Sequence, residues 1–462
     1  MCIRDSLNIM NKNIFRAYDI RGSSITDLDD QTIRKIGYVL GSRILNSGKD
    51  SVYIGHDSRL SAASLQKSLT VGFNASGVKV LGLGLVPTPL VYYATKTGST
   101  PNGVMITGSH NPKDDNGLKI VLNDSAVSGL ELFEEVANQD LIPEVPENFE
   151  KVEIVPNYLK EIKEKILISN KFKVILDAGN GAAGEIADLI FNALGFETIS
   201  INKEPDGNFP NHHPDPSKEK NLEELKMKVK EHNADVGFAF DGDGDRVGMI
   251  TNHGDSVLAD HLIMLLTQHY LKKRSGPIIF DVKCSSQLPA LINELGGKAI
   301  MEKTGHFNIK KAIKKHNAVL GGEMSGHIFI NHEWYGFDDA IYTAAILAQI
   351  ISDDESSSSE VINKFPKTFS TPELNLDVSD DEKFKIVEQF KSEMSFPNSE
   401  LNTIDGVRVT IGSAWGLVRA SNTSPKLVFR FEAETEEELK EIKELFLDNL
   451  KRIFPDLSLN FS

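Results

Sequence analysis

One short pattern occurs three times along the chain: an apolar strand, a polar turn and the start of a helix. The copies are Val52-Tyr-Ile-Gly-His-Asp-Ser-Arg59, Val174-Ile-Leu-Asp-Ala-Gly-Asn-Gly-Ala182 and Ile278-Ile-Phe-Asp-Val-Lys-Cys-Ser285. Apolar runs that do not alternate, each followed by helical periodicity, mark buried strands of a mostly parallel sheet with helical crossovers. More than a hundred residues separate successive copies, too far for a solenoid, so the repeated unit is a whole α/β domain. The length of 462 residues agrees, since a single core stops growing near roughly 250 to 300 residues.

After the acidic, serine-rich stretch 352–360 the texture changes. Gly406-Val-Arg-Val-Thr-Ile411, Gly416-Leu-Val-Arg-Ala420 and Lys426-Leu-Val-Phe-Arg-Phe431 read as antiparallel strands, and a charged amphipathic helix follows from about Glu436 to Ile453. Pro366 and Pro372 discourage a helix across the join. The expected fold is three similar mixed-sheet α/β domains, 10–150, 151–255 and 256–368, plus a smaller C-terminal α+β domain, 369–462.

Sixty-six Asp and Glu against 50 Lys and Arg give a formal charge of −16, which repels nucleic acid but leaves room for a cationic cleft that takes a phosphorylated small molecule. Cys2 and Cys284 make neither a disulfide framework nor a metal spacing. The longest nearly apolar run, Ala340 to Ile351, is far short of the roughly 18 residues that span a bilayer. A cytoplasmic, membrane-free monomer is expected. Met1 to Ile9 show no periodicity, and Met10 is the expected natural start, with Leu7 and Ile9 outside any core.

Four constellations could carry chemistry. In Gly103-Val-Met-Ile-Thr-Gly-Ser-His-Asn-Pro112, a strand ends at Thr107 and presents Ser109 beside His110, with Lys119 a little further on. A serine hydroxyl needs a base or a polarised electrophile to act as a nucleophile; a plain turn accounts for the same residues. Phe240-Asp-Gly-Asp-Gly-Asp-Arg246 sets three carboxylates at alternate positions. Such oxygen-only donors suit Mg²⁺, whereas a calcium EF-hand fails at Arg246 and Asn252, and a solvated acidic turn is the bland alternative. Gly321-Gly-Glu-Met-Ser-Gly-His327 joins a carboxylate, a hydroxyl and an imidazole suited to sugar hydroxyls, or to a satisfied turn. Arg419-Ala-Ser-Asn-Thr-Ser-Pro425 gathers donors suited to phosphate, or to a hairpin loop. His212-His213 with Asp215 is discounted as a metal cluster, because adjacent histidines do not share a face.

Taken in order with Phe15-Arg-Ala-Tyr-Asp-Ile-Arg-Gly22, these motifs mark a chain that resembles the α-D-phosphohexomutases, most closely the bacterial phosphomannomutase/phosphoglucomutase branch, from Ile14 to the C-terminus. The resemblance implies four domains around a central cleft. It implies reversible phosphoryl transfer between the 1- and 6-positions of a mannose or glucose phosphate, through a phosphoserine and a hexose 1,6-bisphosphate. Ser109 would be the phosphoserine, and Asp241, Asp243 and Asp245, with an oxygen on Ser109, the Mg²⁺ ligands. Glu323, Ser325 and His327 would read sugar hydroxyls. Arg419, Ser421, Asn422 and Thr423 would hold the phosphate that is not reacting. Tyr18, Arg21, Arg246, Lys283 and His306 would line the cleft, with His110 and Lys119 beside Ser109; Lys119, Arg21 and His306 are the candidate general acids and bases. A phosphoglucosamine mutase, which Met324 fits less well, and a silent sugar-phosphate-binding protein are the alternatives.

Overall fold

The computed structural model of the chain describes residues 10–422 and 424–459. The expectations for Leu7, Ile9 and Thr423 lie outside the described residues. Two compact units result: Met1–Leu262 with Ser325–Val361, and Ile263–Met324 with Ile362–Ser462.

In the first unit, the first copy of the repeat becomes the strand Ser51–His56, inside a seven-stranded sheet. Lys79–Leu85 and Gly103–Ile106 flank it in parallel, and Asp115–Leu122 and then Ile20–Ser23 continue the sheet antiparallel. Asp29 caps the helix Asp30–Asn46 by accepting from the Thr32 N–H. That helix lies close against Ala62–Ser76: a Cβ on Gly72 would meet the Arg34 carbonyl oxygen at 2.2 Å, so only glycine fits there. Ile33, Ile36, Leu40, Leu65, Leu69 and Phe73 turn inward onto Val52, Ile54, Val80, Val104 and Ile106 in one buried core. Each such side chain contributes roughly 1.5–3 kcal/mol on burial.

The second copy becomes Lys173–Asp177, between the parallel strands Glu197–Ile201 and Val236–Phe240. Val236–Phe240 then pairs antiparallel with Val247–Thr251. Gly103–Ile106 and Asp115–Leu122 stand in the same antiparallel relation in the first sheet. Ser109 and the three aspartates therefore sit at corresponding places, each in the loop of a hairpin that follows a buried central strand.

An aromatic cluster lies in the same unit. Trp334 stacks on Tyr342 with centroids 3.9 Å apart, and Tyr93 and Tyr158 meet it edge-on or stacked. Tyr158 donates to both oxygens of Asp339, at 2.8 and 2.9 Å, and the Trp334 indole donates to it at 3.2 Å. Burial pushes the Asp339 carboxyl up to about 6, against the pull of these donors and the Tyr342 N–H. Asp339 also caps the helix Ala340–Asp353, which is buried along most of its length. No helix among the described residues is long and apolar enough to cross a membrane.

In the second unit, Pro277–Asp281, the third copy, lies between Lys298–Glu302 and Leu320–Gly322, all parallel. The C-terminal part forms a six-stranded antiparallel sheet in which Val407–Ile411, Ala414–Ala420 and Lys426–Ala433 match the strands expected from the sequence. The helix Glu436–Ile453 begins in a Thr435/Glu438 capping box and covers the sheet with Ile442, Phe446 and Leu450. The short strands Phe369–Ser370, Leu374–Asp377 and Glu400–Asn402 complete the sheet.

Candidate active site

The hairpin loop after Gly103–Ile106 has little freedom. Ser109 is 2% exposed and holds a left-handed backbone with φ of 50°, a conformation that costs about 1–2 kcal/mol outside glycine. A plain surface turn would leave the serine exposed. Its hydroxyl lies 2.9 Å from Asp241 Oδ2 and 3.2 Å from His110 Nδ1, so its proton has two acceptors within reach. Burial, then Arg246 and Arg21, hold the His110 imidazole well below its ordinary range and keep it neutral.

The hairpin loop after Val236–Phe240 folds its carboxylates inward. Asp241, Asp243 and Asp245 are each 0% exposed, which excludes a solvated acidic turn, and the flanking antiparallel strands are not the helices of an EF-hand. Gly244 turns the loop at φ of 71°, and a Cβ on Gly242 would meet the Ser109 carbonyl oxygen at 2.5 Å. The two loops can approach only because that glycine separates the first two aspartates. Asp241 Oδ1 accepts from the Asp245 and Arg246 N–H groups at 3.0 and 3.1 Å.

Lys119 lies on the strand that leaves the serine loop. Its ammonium is 2.7 Å from Asp243 Oδ2 and also bonds Asp245 Oδ2. Burial disfavours its charge, but the two carboxylates outweigh burial and hold its pKa well above the usual lysine range. Burial, then Asp243 and Asp245, push the Asp241 carboxyl well above its usual range, while Lys119 and the Thr88 hydroxyl, which bonds Asp243, draw that carboxyl down against its burial. The unmet demand is for positive charge. Asp243 Oδ1 and Asp245 Oδ1 are buried with no hydrogen-bond donor, and one oxygen from each of the three aspartates lies within 4.8 Å of the others. The cluster fits a divalent cation with oxygen ligands.

Arg21, on the strand Ile20–Ser23, donates to Asn111 Oδ1 at 2.9 Å and Asp19 Oδ2 at 2.6 Å. Tyr18 is half-buried in the turn before that strand. Arg246 reaches the His327 Nε2 at 3.0 Å, and His327 Nδ1 stands 3.1 Å from Asp338 and 3.5 Å from Asp245. Ser325 is half-buried two residues earlier.

The remaining candidates belong to the second unit. Glu323 Oε1 accepts from the Gly305 N–H, next to His306 at the start of the helix His306–His316. Lys283 pairs with Glu373 at 2.9 Å, and burial is outweighed there by Glu373 and Asp281, which raise its pKa. Its loop is gripped from the C-terminal sheet: Arg408 stacks on Trp415 at 3.6 Å and donates to the Cys284 carbonyl at 2.9 Å, while Arg430 donates to the Lys283 carbonyl. Arg419 bonds Asp405 Oδ2 at 2.9 Å, and the same oxygen accepts from the Thr304 N–H at 3.0 Å. Ser421 accepts from the Ser424 N–H at 3.1 Å, and Asn422 is half-buried beside it.

Several contributors carried no sequence signal of their own. Asp57, Arg59, Thr88 and Asp338 bond to or pair with residues of the site. His212 bonds Asp177 at 2.9 Å and His213 bonds the His110 carbonyl. They belong to no group among the described residues that could hold a metal ion, and His213 braces the serine loop through the His110 carbonyl.

Family models of phosphoglucomutase/phosphomannomutase match in order: α/β/α domain I over residues 12–139, domain II over 156–254, domain III over 259–369, and the C-terminal domain over 373–449. A phosphomannomutase/phosphoglucomutase of Pseudomonas syringae pv. tomato is 48% identical over 457 residues, 98% of each chain. One from Pseudomonas aeruginosa is 47% identical over 453 residues, 97% of this chain and 98% of that one. The crystal structure of a phosphoglucomutase/phosphomannomutase family protein from Burkholderia thailandensis superposes with a TM-score of 0.91 at 38% identity, covering 97% of this chain and 99% of the other. A buried serine set against three buried aspartates, inside a chain that matches all four domains end to end, makes this protein a member of the phosphoglucomutase/phosphomannomutase family of phosphohexomutases.

Proposed function

We propose that this phosphohexomutase moves a phosphoryl group between O1 and O6 of mannose and glucose phosphates, with Ser109 as the carrier. The observation that carries the reading is the Ser109 hydroxyl 2.9 Å from Asp241, beside two carboxylate oxygens that lack donors. Phosphoserine transfers its phosphoryl group to the free hydroxyl of the sugar phosphate: the P–O bond to Ser109 breaks, a P–O bond to the sugar forms, and the hydroxyl proton ends on Ser109 Oγ. The hexose 1,6-bisphosphate turns end over end, and its other phosphate returns to Ser109 in the reverse step. Catalysis of this kind is positioning and charge stabilisation. Mg²⁺ held by Asp241, Asp243, Asp245 and a phosphoserine oxygen would withdraw charge from the transferring group. Lys119, paired with Asp243 and Asp245, supplies a cation beside it.

His110, Arg21, Arg246 and Tyr18 surround the transfer in this reading, with Lys283, His306, Glu323, Ser325 and His327 reading the sugar and Arg419, Ser421, Asn422 and Thr423 holding the idle phosphate. The proposed domains are 10–150, 151–255, 256–368 and 369–462, supported by the spans of the family matches. Hexose 1,6-bisphosphate is the proposed activator, since it restores phosphoserine to a dephosphorylated site.

The substrate class is tested by kcat/KM on glucose, mannose and glucosamine 1-phosphates. Glucose and mannose 1-phosphates are expected to turn over, with the amino sugar at least about tenfold poorer, a margin within what a few polar contacts discriminate. A preference for glucosamine 1-phosphate would point to the phosphoglucosamine branch instead.

A further inference from the structure

We propose that Arg59 is the positioning residue that holds Ser109 in its reactive conformation, by collecting the backbone carbonyls of the serine loop onto one guanidinium. The proposal deepens the reading of Ser109 as phosphoryl carrier and rests on it. Arg59 NH2 donates to the carbonyls of Ser109 at 2.9 Å and Asn111 at 2.7 Å, and NH1 donates to those of Asp115 at 2.7 Å and Pro112. Four carbonyls from one turn thus converge on a single planar group, whose side chain is 0% exposed.

The other face of Ser109 is held by the same device. Its N–H donates to Thr107 Oγ1 at 2.7 Å, and the Thr107 hydroxyl donates to Asp57 Oδ2 at 2.7 Å. Asp57 in turn pairs with Arg59 at 3.3 Å and accepts the Arg59 N–H at 3.0 Å. Both backbone polar groups of Ser109 therefore end on the Asp57/Arg59 pair. This is what a left-handed, non-glycine residue requires, because such a conformation persists only where its surroundings over-determine it. The guanidinium is pressed against the loop: a Cβ on Gly108 would meet Arg59 Cζ at 2.4 Å. The Phe209 ring lies 5.4 Å from the guanidinium carbon and helps fix its position. Arg59 makes no contact with Ser109 Oγ among the described interactions, so it acts through the backbone.

A lysine cannot replace it, since three donors on one point do not span four carbonyls as a planar fork does. A nucleophile misplaced by an ångström typically costs about 10²-fold in rate. Steady-state kinetics on glucose 1-phosphate with glucose 1,6-bisphosphate, alongside melting temperatures, are to be compared for Arg59→Lys, Thr107→Val, Leu69→Ala and Ser109→Ala. Leu69 lies in the buried apolar core of the first sheet and makes none of the contacts to Arg59 or Ser109 described above, so its truncation reports stability loss. Arg59→Lys is expected to lose about 10²-fold in kcat with KM within about twofold, and Thr107→Val to lose kcat in the same sense. Leu69→Ala should keep its kcat at an equal or larger fall in melting temperature. Wild-type kcat in folded Arg59→Lys and Thr107→Val, or losses that follow melting temperature in all variants, would overturn the role of Arg59. Full activity in Ser109→Ala would instead remove the carrier reading beneath it.

Discussion

Replacing Ser109 by alanine is expected to lower mutase kcat by about 10⁴-fold or more, the scale on which enzymes lose rate when a covalent nucleophile is removed. Binding of glucose 1-phosphate, read by calorimetry, should survive within a few-fold. The separation follows from where the residue sits. Ser109 Oγ bonds to Asp241 and His110, which are proposed to take part in the transfer, whereas the groups proposed to hold the idle phosphate, Arg419 and Ser421, belong to the second unit. The backbone of the loop stays held by Arg59 and Thr107 whichever side chain occupies position 109. Unchanged turnover in this variant would show that Ser109 carries nothing.

The second large effect concerns the three aspartates. Exhaustive chelation of divalent cations is expected to lower activity by about 10³-fold, reversed by Mg²⁺, on the scale lost when a positioned stabiliser of transition-state charge is removed. Activity alone would not separate a structural ion from a catalytic one. Mg²⁺ at about a hundred times its Kd should also stabilise the folded protein by about 2.7 kcal/mol, seen as a rise in melting temperature. Asp243→Asn with Asp245→Asn removes two of the three carboxylates, the two whose Oδ1 atoms lack donors, so that rise should vanish. The doubly substituted protein should still fold, because Lys119 keeps amide oxygens as partners in place of the carboxylates at Asp243 and Asp245. A melting temperature that rises with Mg²⁺ as much as in the wild type would place the cation elsewhere.

What the sequence disclosed about this site, and what it did not, follows from how far apart the partners lie. Asp241, Asp243 and Asp245 are separated only by glycines, so residue type and spacing alone point to converging carboxylates. The three strands of the repeat, and the hairpins of the C-terminal sheet, are equally local patterns and fold where their periodicity predicts. Arg59 stood in plain view as the end of the first repeat, but its role is defined by carbonyls 50 to 56 residues further along the chain. Thr88 and Asp243 are 155 residues apart. No local pattern anticipates such pairs, because the same residue types in a turn are usually solvated. Ser109 shows the opposite case. Taken alone it was compatible with an ordinary turn, and its burial, left-handed backbone and carboxylate neighbour are properties of the folded loop.

The same limit applied to the histidines. Among the described residues, neither His212 nor His213 belongs to a group that could hold a metal ion. Their use as a brace, through Asp177 and the His110 carbonyl, depends on the packing of the first two sheets and has no signature in the motif itself. Likewise, the grip of Arg408 and Arg430 on the Lys283 loop joins residues that read separately as a strand arginine and a strand-end lysine.

Mass spectrometry of the intact protein shows whether Ser109 carries the phosphoryl group. After incubation with glucose 1,6-bisphosphate and removal of small molecules, the chain is expected to gain the mass of one phosphoryl group, located by peptide fragmentation to Ser109 and lost on incubation with excess glucose 6-phosphate. A phosphoryl group located on another residue, or none on Ser109 in a protein that turns substrate over, would contradict Ser109 as the carrier.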